Sequence, residues 1–141
     1  MELSEKLIET WNTISYILKP ERLFRDLSYN EQTICSLLYR AQKEMTATDL
    51  IEQTSLLKSQ MNKIMNSLEQ KDVIQRIRSE EDKRKIVVEL TDYGKEIYRK
   101  EHQSVLEISN HIIEQLGTKK SEQLISLMEE ALDIIEKGDK K

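Results

Sequence analysis

Residues 73–90 read VIQRIRSEEDKRKIVVEL. Two β-branched runs, Val73-Ile74-Gln75-Arg76-Ile77-Arg78 and Lys85-Ile86-Val87-Val88-Glu89-Leu90, enclose the polar tip Ser79-Glu80-Glu81-Asp82-Lys83-Arg84. Apolar residues at a period of two on either side of a charged turn predict a β-hairpin. Outside this hairpin the apolar period is 3.6.

Upstream, Leu57, Met61, Ile64, Met65 and Leu68 form the inward stripe of a helix over about 57–71, which leaves Ser59, Asn62, Lys63, Asn66 and Gln70 outward and Gln60 and Ser67 on the flank. Asp72 stands where a helix often ends in a left-handed residue. Thr54-Ser55-Leu56 reads as a turn. Thr46-Ala47-Thr48-Asp49 starts a short helix over about 47–53. Ser28-Tyr29-Asn30-Glu31 is a capping box that opens a helix to about Arg40. The first helix, 3–18, carries Leu3, Leu7, Trp11, Ile14 and Leu18, and Pro20 ends it. Downstream, Thr91 or Asp92 caps a long helix to about Leu116, with Tyr98, His102, Val105, Leu106, Ser109, Ile112, Ile113 and Leu116 on one stripe. Gly117 breaks it, and a last helix over about 119–137 turns Leu124, Leu127, Met128, Ala131, Leu132 and Ile135 inward.

The rest of the composition agrees. Three Gly and one Pro in 141 residues are far below the usual ~7% and ~5% and exclude a β-sandwich or a Pro/Gly-rich tail. No basic and apolar leader opens the chain, and no apolar run approaches the ~18 residues of a membrane span. The single cysteine, Cys35, forms no intrachain disulfide, so a cytoplasmic location is expected. No phosphate loop, HExxH, CxxC or Ser/His/Asp set is present; neither enzyme, cofactor nor metal site is expected. His102 and His111 lie nine residues apart, 180° around one helix, and cannot share a metal.

Helix, short helix, turn, helix and charged hairpin in that order make a winged helix-turn-helix. The helix after the turn has the size to enter a major groove, and its outward residues are small, polar or basic with no carboxylate. The net charge of −4 hides an uneven distribution. Residues 56–88 carry eight basic and five acidic side chains, +3, which leaves −7 elsewhere. Local charge governs phosphate affinity.

The stretch from Met45 to Gly94 resembles the MarR family of bacterial winged-helix transcription regulators. The matching pieces are residues 56–63 in the recognition-helix position, residues 68–74 at its end, Asp82-Lys83-Arg84 as the Asp-x-Arg wing tip and Leu90-Thr91-Asp92-Tyr93-Gly94 as Leu-Thr-x-x-Gly. Leu57 departs from the family's usual Ser or Thr, and Asp72 from its Gly. The resemblance implies a mostly α fold with a small β-hairpin wing (α+β), with residues 28–91 as the DNA-binding lobe and residues 1–27 and 92–141 as helical dimerisation regions. It implies a homodimer that represses transcription from a pseudo-palindromic operator. Ser59, Gln60, Asn62 and Lys63 would face the major groove. Arg84, held by Asp82, would enter a minor groove, and Lys58, Lys83 and Lys85 would contact phosphate. A small-molecule effector would lie between the two regions, where Trp11, Tyr16, Phe24, Tyr29 and Tyr39 are candidates. The alternatives are a winged helix that binds protein instead of DNA, and a redox- or metal-sensing regulator without a small-molecule effector. Cys35, beside an apolar helical face, reads first as a small buried hydrophobe.

Overall fold

The computed structural model describes residues 1–19 and 23–139. Among the described residues there are six helices and one antiparallel hairpin: α1 (Leu3–Ile17), α2 (Tyr29–Arg40), α3 (Ala47–Thr54), α4 (Lys58–Gln70), β1 (Ile74–Arg78), β2 (Ile86–Leu90), α5 (Asp92–Leu116) and α6 (Thr118–Asp139). No helix among them is long and apolar enough to cross a membrane. The chain divides into two compact units, Met1–His102 and Gln103–Lys141, with the division inside α5.

Local chemistry sets the helix ends. At α2, Glu31 N–H donates to Ser28 Oγ (3.2 Å) and Ser28 N–H donates back to Glu31 Oε1 (2.8 Å). Thr46 and Asp49 repeat this box at α3. Ser55 and Asp72 close α3 and α4 in the left-handed region, both at φ 61°. The α1 helix ends at Ile17, where Leu18 N–H still reaches Ile14 O; Pro20, expected to stop it, lies outside the described residues.

The Leu-Thr-x-x-Gly stretch has a physical explanation. Thr91 Oγ1 accepts from Gly94 N–H (2.9 Å), capping α5, and donates to Asp72 O (2.6 Å) at the end of α4. A Cβ on Gly94 would stand 2.0 Å from Val73 O. Only a hydrogen there lets α5 start against the turn that ends α4.

In the first unit, Ile34 and Cys35 of α2, Leu50 of α3, Met61, Met65 and Leu68 of α4, Ile74 and Val88 of the hairpin and Tyr98 of α5 form one buried core. The hairpin register pairs Ile74 with Leu90 and Arg76 with Val88. Val88 N–H donates to Met45 O (2.7 Å), so the segment before α3 flanks β2 on its other side.

Some expected stripes are uncovered. Leu57 is not inward: α4 begins one residue later, and Leu57, its N-cap, is 67% exposed. Leu56 packs on the core in its place. The α1 helix buries none of its residues. In the second unit, Gly117 (φ 82°) joins the end of α5 to α6. Leu124, Leu127, Met128, Leu132 and Ile135, expected inward, are exposed along α6. Leu106, Ile112, Ile113 and Leu116 of α5 are exposed too. A unit of two helix segments has no third layer to cover both stripes.

Candidate nucleic-acid interface

The recognition-helix candidates share one exposed surface: Lys58, Ser59, Gln60, Asn62 and Lys63 all lie exposed on α4. Met61 and Met65 on the opposite side are fully buried and anchor it. Gln60 has a structural task as well. Its Oε1 accepts from Leu57 N–H (2.9 Å), the half of a capping box that the third helical residue supplies; leucine has no hydroxyl to supply the other half.

Two contacts hold the C-terminal half of α4. Glu31, already in the α2 capping box, also accepts from Ser67 Oγ (2.9 Å) and from Lys71 Nζ (2.8 and 3.0 Å). Burial pushes the Glu31 carboxyl upward, but the Lys71 ammonium, Ser28 N–H and Ser67 hydroxyl outweigh it and hold the pKa below the usual glutamate range. Arg76 of β1 reaches Glu69 (2.5 Å) and Asn66 (3.1 Å). Lys71 and Arg76, counted in the basic lobe by charge alone, are thus engaged within the protein. Among the described residues Lys58, Lys63, Lys83 and Lys85 are in no ion pair.

At the wing, Asp82 and Arg84 meet as a fork: Nε to Oδ1 at 3.1 Å and Nη2 to Oδ2 at 3.2 Å, with Arg84 N–H also on Oδ1. The Arg84 side chain is 91% exposed. These bonds, first from the guanidinium and then from the Arg84 backbone, hold the Asp82 carboxyl below its ordinary pKa. Lys83 and Lys85 are exposed beside the fork. Behind it lie residues that periodicity does not reveal. Ser79, 1% exposed, donates to Glu44 Oε2 (2.5 Å) and accepts from Asp82 N–H (3.1 Å). A serine after a strand carries no period of its own, and Glu44 lies 35 residues away in sequence.

The five aromatic candidates do not converge. Trp11 and Tyr16 are exposed on α1, Tyr29 is exposed at the start of α2 and Phe24 is half-buried in the connector. Tyr39 lines a groove of about 1120 Å³ between the end of α2, the start of α5 and the hairpin face bearing Gln75, Ile77, Val87 and Glu89. Its neighbours come from α5: the Tyr98 ring at 4.8 Å and Arg99 Nε on its hydroxyl at 3.0 Å. Tyr98 in turn stacks on His102. Cys35 is fully buried, and burial, with Glu31 adding to it and Lys71 opposing, pushes its thiol up to about 12.

The family model "Transcriptional regulator SarA/Rot" matches residues 16–100. No curated protein matches significantly. Among solved structures, a variant of S. aureus MepR has a TM-score of 0.76 at 18% identity, covering 96% of this chain and 99% of that one. A variant of E. coli MarR has 0.69 at 22%, covering 94% and 97%. PcaV from Streptomyces coelicolor, in complex with its natural ligand, has 0.67 at 15%, covering 94% and 96%. At these identities the likeness is one of fold, and the fold is the winged helix that the wing motif suggested.

Proposed function

Because the chain belongs to the SarA/Rot family of transcriptional regulators, we propose that it acts by binding double-stranded DNA as a homodimer, in the cytoplasm, as a repressor at a pseudo-palindromic operator. The observation that carries this is the pairing of a carboxylate-free, exposed α4 face with a pre-formed Asp82–Arg84 fork beside it. Small polar and basic side chains suit base edges in a major groove. An arginine on a narrow wing suits the negative potential of an A·T minor groove. The uncovered apolar faces of α1 and α6 support dimerisation. A two-fold pair of α4 helices would then repeat about one DNA turn apart. Residues 28–91 form the reading lobe in this proposal, and residues 1–27 and 92–141 the dimerisation regions.

A small-molecule effector is part of the proposal, with Tyr39 as the one of the five aromatic candidates that lines the groove offered for it. Its support is the groove beside Tyr39 and the ligand held by PcaV.

The test is selection of bound duplexes from a random pool, followed by titration of the selected site at about 0.15 M salt. Arg84→Ala and Lys63→Ala each weaken binding by about 1–3 kcal/mol if the side chain meets a base edge. If Lys63 meets phosphate instead, its loss lowers the salt slope by ~1. Wild-type affinity in both variants would rule out this mode.

A further inference from the structure

Building on the DNA-binding reading, we infer that Ser79 and Glu44 are positioning residues for the wing: they set the tip from which Arg84 meets DNA. The six-residue tip 79–84 has no apolar side chain and cannot be ordered by a core of its own. Ser79 is its only buried residue, and both capacities of its hydroxyl are used. The proton goes to Glu44 Oε2 at 2.5 Å, and a lone pair takes Asp82 N–H at 3.1 Å. Ser79 N–H also donates to Lys85 O (2.9 Å), and Lys85 N–H to Asp82 O (2.9 Å), closing the turn. Asp82 then receives Arg84 through its backbone N–H, Nε and Nη2. Glu44, Ser79, Asp82 and Arg84 thus form one continuous relay.

The first link matters because it leaves the hairpin. Glu44 lies in the segment before α3, next to Met45, whose carbonyl accepts from Val88 N–H. The wing tip is therefore registered on the helix-turn-helix and not only on its own strands. A free arginine loses rotamer freedom when it enters a groove. The relay makes that loss before DNA arrives, which favours binding through preorganisation. A buried hydroxyl deprived of a partner would release the turn, because an unsatisfied polar group costs more than a made bond returns.

The experiment has two readouts. The first is ¹⁵N relaxation of Arg84 Nε in the free protein. The second is affinity for two short duplexes, one centred on an A-tract and one of alternating G·C. Wild type should bind the A-tract duplex more tightly, and R84A should abolish the difference. E44A and S79A should raise Arg84 Nε mobility and weaken A-tract binding by about 3- to 10-fold. E44Q keeps a carbonyl acceptor for the Ser79 proton and should behave as wild type. In an R84A background, E44A should change neither affinity. Glu44 is exposed, so E44A gives a clear answer even where S79A lowers stability. Unchanged Arg84 mobility and A-tract preference in E44A and S79A would overturn the inference, while R84A still weakening binding would leave the DNA reading standing. A wild-type protein that binds neither duplex would defeat the DNA reading and this inference together.

Discussion

Glu31 shows how much one side chain does in this molecule. It completes the α2 capping box, accepts from Ser67 and pairs with Lys71, so it joins the start of one helix to the end of another. Its folded pKa lies below the ordinary value. The stability it contributes is therefore present above the unfolded pKa of ~4.3 and lost as pH falls through the lower folded value. Urea titrations at a series of pH values should show a loss of stability on acidification below that point, and Glu31→Gln should flatten it. Gly94 is constrained by space. Gly94→Ala would drive a methyl to 2.0 Å from Val73 O, a backbone atom that cannot swing aside. A loss of about 2–3 kcal/mol in chemical denaturation is expected. Glu101 was invisible to periodicity: buried on α5, it accepts from Arg25 and Asp26 N–H and pins the connector before α2.

At the scale of elements, the helices that position the interface were legible because their signals are local. Ser28 with Glu31 formed the capping box that its spacing implies, and the helix start expected at Thr46–Asp49 is closed by a second reciprocal pair. Thr46→Ala should cost about 1 kcal/mol, measured by thermal or urea unfolding. The hairpin was legible for the same reason, and its register leaves Ile74, Val88 and Leu90 in the core. The start of α4 was less legible. Leu57 fits the 3.6-residue stripe, yet it is the N-cap, and its N–H donates to Gln60 Oε1. Periodicity counts apolar residues and does not see where a turn, here through Ser55 at φ 61°, re-aims the chain. The aromatic residues show the same limit, since five aromatics near in sequence are divided among α1, the connector and the two ends of α2.

For the whole molecule, the exposed apolar residues decide what to expect in solution. The large apolar side chains of α1, from Leu3 to Ile17, and those of α6 are exposed together with part of α5. A soluble monomer rarely leaves whole apolar helix faces uncovered, as α1 does in the first unit and α6 in the second. Sedimentation equilibrium at micromolar concentration should return twice the 16.7 kDa of the chain. Charged replacements at Leu7 and Leu127 should shift the mass toward one chain; a single-chain mass for the wild type would remove the dimer from the proposal.

Sequence by itself determined the order of elements, the α2 capping box, the start of α3 and the hairpin, because each depends on residues a few positions apart; the wing-tip fork was implied by the family resemblance. It also located the basic lobe beneath the net charge of −4. Tertiary structure alone decided which cations remain available. Lys71 and Arg76 are engaged by Glu31 and Glu69, while Lys58, Lys63, Lys83 and Lys85 are not in ion pairs among the described residues. It also decided that Ser79 is buried and that Glu44 meets it. The Glu31–Lys71 and Glu44–Ser79 contacts join residues 35 or more positions apart, where only the packing of the core sets which side chains meet.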